Sequence, residues 1–178
     1  MAKGAVASVE KPVAKPSTVW PKDVLKDLVE GHLDPDVLLQ MQRAPKEPGR
    51  FEAIRQIEQE RVPWPDTILV PIGEGLYIVE NSRGRVVKHI CGQEFGDYKV
   101  NWKLSALVYE RDTLEKLQEI YRGPRACNPD WMVLREYICP KCGTMLETEA
   151  VPPGYPILFN FLPDEQELDE ISKSLRQE

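Results

Sequence analysis

"YICPKCGTM", residues 137–145, decides how this chain is read. Two cysteines two residues apart, with a proline inside the pair and a glycine after it, form a tight turn that can aim both thiolates at one point. The stretch "DWMVLREYI" (130–138) enters the turn with strand-forming residues, and "TMLETEAVPP" (144–153) leaves it extended. The turn therefore joins two strands. A redox dithiol needs a helix N-terminus to lower a thiol pKa, and the extended continuation does not supply one. The pair reads as half of a metal site, and the rest of the chain must provide the other half.

The search is short, because the chain has four cysteines and two histidines. "VVKHICGQEF" (86–95) is the best match. It too ends a strand in Cys-Gly, and it adds an imidazole. A glycine after the last ligand permits positive φ, so that backbone N–H groups face the thiolate. His89, Cys91, Cys139 and Cys142 would then give a tetrahedral site of one nitrogen and three sulfurs, which suits zinc. Such a metal would pin the central sheet to the strand at 131–138. Cys127, in the turn-rich "GPRACNPDW" (123–131), competes with His89 for the fourth position. A closed four-ligand site has no place for water, so the metal is expected to be structural.

Outward from the site, "DTILVPI" (66–72) and "LYIVEN" (76–81) flank Gly73-Glu74-Gly75 as a hairpin, and "GRVVKHICG" (84–92) is a third strand. The alternation in "NWKLSALVY" (101–109) predicts a fourth. Asp112 and Glu115 resemble a capping box ahead of "LEKLQEIY" (114–121), with Leu114, Leu117, Ile120 and Tyr121 along one helix face. Three helices come earlier. "WPKDVLKDLVEGHL" (20–33) stops at Gly31, "DPDVLLQMQ" (34–42) starts on Asp34 and Pro35, and "RFEAIRQIEQERV" (50–62) lines up Phe51, Ile54 and Ile57. "DEQELDEISKSLRQE" (164–178) closes the chain as an acidic amphipathic helix with Leu168, Ile171 and Leu175 inward. The fold class is α+β: short N-terminal helices, then a mostly antiparallel β-sheet carrying a zinc-ribbon-like Cys/His site. The expected division is a mobile tail over 1–19, a helical arm over 20–65, a zinc-stapled β-rich domain over 66–162 and the C-terminal helix over 163–178.

Composition narrows the function. A chain of 178 residues with 42% hydrophobic and 29% charged residues has the make-up of a soluble globular protein. Its net charge of −6 argues against a nucleic-acid partner. No apolar run approaches the roughly 20 residues that span a bilayer, and the N-terminus lacks a continuous apolar signal segment. A cytoplasmic, reducing location is expected, where Cys-x-x-Cys favours metal over disulfide. There is no Walker A loop, G-x-G-x-x-G, H-E-x-x-H or G-x-S-x-G, and so no catalytic residue is assigned. Two further readings stay open on the residues alone: a stand-alone zinc-ribbon module that binds a protein, and an enzyme whose metal keeps three protein ligands and a water.

Four stretches carry a resemblance. "LVEGHLDPDVLLQM" (28–41), "QERVPWPDTILVPIG" (59–73), "NWKLSALVYERDT" (101–113) and "WMVLREYICPKCGTMLETEAVPPGYP" (131–156) are together similar to the gamma subunits of acetone carboxylases, in order and at similar spacing from about residue 20 to about 165. The resemblance implies an accessory subunit of a carbon–carbon bond-forming ligase that couples ATP cleavage to carboxylation of a ketone by bicarbonate. Acetone would give acetoacetate, or an aryl ketone such as acetophenone would be carboxylated by the related enzyme. It further implies zinc in this chain, ATP with magnesium and also manganese in large alpha and beta partner subunits, and a dimer of alpha-beta-gamma units. Members of the family often show Cys-x-Cys-Gly where this chain has His89-Ile90-Cys91-Gly92. Trp20, Trp64 and Trp131 are candidate contacts to the partners, and a core position suits each at least as well.

Overall fold

The computed structural model describes residues 19–121 and 123–177, and the chain separates into a unit ending at Ile57 and a unit running from Glu58 to Glu178. Apart from Val19, the tail expected over 1–19 lies outside the described residues.

In the first unit, α1 (Lys22–Glu30) ends on Gly31 in the left-handed conformation at φ 74°, with the His32 and Leu33 N–H groups donating to the Asp27 carbonyl. The Asp34 carboxylate caps α2 (Pro35–Arg43), accepting from the N–H groups of Asp36 and Val37 at 2.9 and 3.3 Å, with Pro35 in the first helical position. Leu25, Met41 and Ile57 form the small core. α3 (Arg50–Arg61) faces that core with Ala53 and Ile57, four residues apart. Phe51 lies six residues before Ile57, about 120° around the helix, and is half exposed, contrary to the sequence expectation. Arg55 is buried, and its Nε donates to Glu52 at 3.0 Å.

The second unit holds two antiparallel sheets where one was expected. The first is a meander, β1 (Thr67–Gly73), β2 (Leu76–Asn81), β3 (Gly84–His89) and β4 (Glu94–Asp97), paired in that order. The second pairs β5 (Leu107–Arg111), β6 (Val133–Ile138) and β7 (Met145–Val151). The architecture is α+β.

Between the sheets, the strand expected over 101–109 is shortened. The Asn101 side chain accepts from the Lys103 N–H and starts a 3-10 turn over Trp102–Ser105, so the extended segment begins only at Leu107. The apparent alternation had a different cause, since Trp102 and Lys103 are neighbours in sequence and both are buried. The helix after β5 is also shorter than expected. α4 is Leu114–Gln118, capped by the Thr113 hydroxyl, while Asp112 binds Lys116 Nζ at 2.6 Å. Of its four expected inward residues only Leu117 is buried; Leu114, Ile120 and Tyr121 are exposed.

In the second unit a smaller core gathers Ile68, Tyr77 and Val79, and a larger one joins the two sheets. Phe95 of β4, Trp102 of the 3-10 turn and Tyr137 of β6 meet edge to face at 5.9 and 6.0 Å. Leu69, Ile78 and Val87 join them from the first sheet and Cys139 from the second. α5 (Glu165–Leu175) lays Leu168, Ile171 and Leu175 on this core, as its spacing predicts.

Candidate metal centre

Each half of the centre is a turn at the end of a strand. β3 delivers His89, and the chain reverses as the Gly92 N–H donates to the His89 carbonyl and the His89 N–H to the Gln93 carbonyl, both at 2.8 Å. β6 delivers Cys139, whose N–H donates to the Thr144 carbonyl at 2.8 Å, and the Gly143 N–H returns to the Cys139 carbonyl at 2.9 Å. Gly92 and Gly143 sit at φ 88° and 75°, the backbone freedom that the two Cys-Gly pairs foreshadow. The first turn is further fixed by the β1–β2 hairpin, where the Gly75 carbonyl accepts from the Ile90 N–H at 2.7 Å.

These turns bring His89, Cys91, Cys139 and Cys142 together, with one ligand atom from each lying within 4.8 Å of all the others. The fit to a metal can be tested on edge lengths. A tetrahedral zinc with ordinary bond lengths needs sulfur–sulfur edges of about 3.8 Å and nitrogen–sulfur edges of about 3.6 Å. Cys91 Sγ to Cys139 Sγ is 3.7 Å and Cys142 Sγ to His89 Nδ1 is 3.6 Å. His89 Nδ1 to Cys91 Sγ is shorter, at 3.0 Å, a thiol–imidazole hydrogen bond that a shared ion would replace. The donor set and its spacing suit a thiophilic tetrahedral ion such as zinc. Among the described residues no other such His/Cys/Asp/Glu group occurs.

The electrostatics are graded across the site. His89 and Cys139 are buried, Cys91 is half-buried and Cys142 is exposed. Burial lowers the His89 pKa, which favours the neutral, metal-binding imidazole. Burial pushes the Cys91 thiol up to about 11. Hydrogen bonds from the Thr144 side chain and backbone bring Cys142 down to about 7. Cys142 is thus the ready thiolate, and Cys91 must lose its proton as an ion enters.

Cys127 is not in the group; its thiol donates to the Met132 carbonyl at 3.6 Å. Trp131 is 80% exposed, whereas Trp20 and Trp64 pack against hydrophobic clusters, the core placement that the sequence left open for each. Two residues to which the sequence gives no part in the site support the first turn. Trp64 Nε1 donates to the Ile90 carbonyl at 3.1 Å and Lys141 Nζ to the Cys91 carbonyl at 2.8 Å. Lys141 lies inside Cys-Pro-Lys-Cys and could have been noticed, whereas Trp64 is 26 residues from its partner and gives no local signal.

Comparison with known proteins places these features in a group. The profile of a family described as acetone carboxylase gamma subunit matches residues 62–173. An acetone carboxylase gamma subunit from Xanthobacter autotrophicus is 47% identical over 147 residues, covering 82% of this chain and 88% of that protein. An acetophenone carboxylase beta subunit from Aromatoleum aromaticum is 31% identical over 91 residues, covering 50% of this chain and 68% of that one.

Proposed function

The chain belongs to the acetone carboxylase gamma-subunit family, and from that premise we propose that it is the small, zinc-holding subunit of an ATP-dependent ketone carboxylase. The substrate class is acetone with bicarbonate, giving acetoacetate. The observation that carries this reading is the 47% identity extending over 88% of a protein named as an acetone carboxylase gamma subunit. The aryl-ketone alternative has less support, since the acetophenone carboxylase relative matches half of this chain at 31% identity.

In this reading His89, Cys91, Cys139 and Cys142 hold one zinc ion, whose contribution is to tie two strand ends together. A site filled by four protein ligands leaves no position for substrate. The chain therefore has a structural role in assembly, and the nucleotide and ketone chemistry, with ATP, magnesium and manganese, resides in large alpha and beta subunits. The assembly is a dimer of alpha-beta-gamma units in the cytoplasm. Exposed apolar residues of the second unit, among them Trp131, Leu104 and Met145, are available as contacts to those subunits.

The test is affinity purification of the chain from its native cells. The reading expects two large subunits to co-purify, in a preparation that fixes bicarbonate only with ATP and acetone. A chain that purifies alone, or with unrelated partners, overturns it.

A further inference from the structure

We propose that Lys141 is a positioning residue for the metal centre, a latch reaching from the second cysteine turn onto the first that also balances the charge of the loaded site. The inference rests on the zinc reading above.

Three observations lead to it. The first is reach. Lys141 stands between the cysteines of one turn, yet its Nζ donates at 2.8 Å to the carbonyl of Cys91, a ligand on the other turn and the other sheet. Among the supports of the first turn it has a distinct place. Trp64 Nε1 takes the Ile90 carbonyl, and the Gly75 carbonyl takes the Ile90 N–H, and these hold the turn within its own sheet and the segment leading into it. Lys141 reaches Cys91 only when the two turns face each other, which is the arrangement a shared ion requires.

The second observation is where the lysine lands. A Cβ built on Gly92 would lie 3.5 Å from Lys141 Nζ and 3.5 Å from Trp64 Cδ1, an ordinary contact distance. The lysine and the indole thus flank Gly92 and converge on consecutive carbonyls of the first turn.

The third is charge. A divalent ion bound by three thiolates and a neutral imidazole carries one net negative charge. An ammonium fixed on the Cys91 carbonyl stands close enough to offset that charge. A group that both orients a ligand and neutralises the centre is expected to slow metal loss, as outer partners of metal ligands generally do.

The experiment uses the full chain loaded with zinc, and measures zinc release to a chromogenic chelator in wild type, Lys141→Met and Lys141→Arg. Lys141→Met is expected to lose zinc roughly ten-fold faster, with Lys141→Arg returning most of the difference because guanidinium keeps both the charge and the donor. The cobalt(II)-substituted Lys141→Met protein should show a shifted d–d spectrum, a change that a purely structural role would not produce. Because Lys141 is exposed, the metal-free melting temperatures of wild type and Lys141→Met should coincide. Equal release rates and cobalt spectra in wild type and Lys141→Met overturn the inference while leaving the metal site in place. A wild type that binds neither ion removes the metal reading itself, which is a separate failure.

Discussion

At the level of single residues, the two glycines behind the cysteines share one constraint. Gly143 has φ 75° with open space around its missing side chain, and Gly92 has φ 88° with neighbours at ordinary contact distance. Each change to Ala should therefore cost about 1 kcal/mol of stability from backbone strain. Urea unfolding of the two variants checks this. A second prediction concerns Glu149. Burial raises its pKa, but the Lys103 ammonium and the Tyr137 hydroxyl outweigh this and hold it below the ordinary 4.5. A folded-state pKa below the unfolded one adds stability that is present above about pH 4.5 and is lost as pH falls through the lower folded value. Glu149→Gln should therefore be less stable than wild type at neutral pH, with the gap closing below about pH 4.5 in acid titrations followed by circular dichroism. The four clustered side chains were legible in the sequence because so few cysteines and histidines are available to choose from. Lys103 was not. It looks like an outward-facing strand residue, but it is fully buried against Glu147 at 2.7 Å and against Glu149, beneath the Tyr137 ring.

At the level of elements, local signals succeeded where a cap or a turn residue fixes the backbone. Gly31, Asp34 and the Gly73-Glu74-Gly75 hairpin all act where the sequence places them. They failed where tertiary contacts override periodicity. β4, Glu94–Asp97, is only four residues long and passed unnoticed, because Phe95 is its one buried residue and short strands carry little pattern. The 3-10 turn over Trp102–Ser105 carries a strand-like alternation, but what sets it is the Asn101 cap and the salt bridge from Lys103 to β7. That element makes its own prediction. Lys103→Met keeps the volume but removes the ammonium bound directly to two partly buried carboxylates, and should destabilise the chain by about 3 kcal/mol. Thermal unfolding should show the loss, and the double variant with Glu149→Gln should recover part of it. Thr113→Ala, which removes the cap of the five-residue α4, should cost less, about 1 kcal/mol.

At the level of the molecule, the two sheets of the second unit meet in the aromatic run from Phe95 through Trp102 to Tyr137, and the His/Cys cluster gathers at the ends of β3 and β6. The aromatic contacts should keep the unit folded without metal, while the turns at 89–93 and 139–144 loosen. Hydrogen exchange with and without a chelator should accordingly show protection lost in those turns and kept in β2 and β6. The α+β class could be read from the change of period along the chain. The split into two sheets could not, because strand pairing between distant segments leaves no mark in either one. The account rests most directly on the metal content of the purified full-length chain and its single variants by elemental analysis. It predicts one zinc per chain, retained in Cys127→Ala and lost in Cys139→Ala and Cys142→Ala, with His89→Ala greatly weakened. Zinc kept in His89→Ala and lost in Cys127→Ala would contradict it.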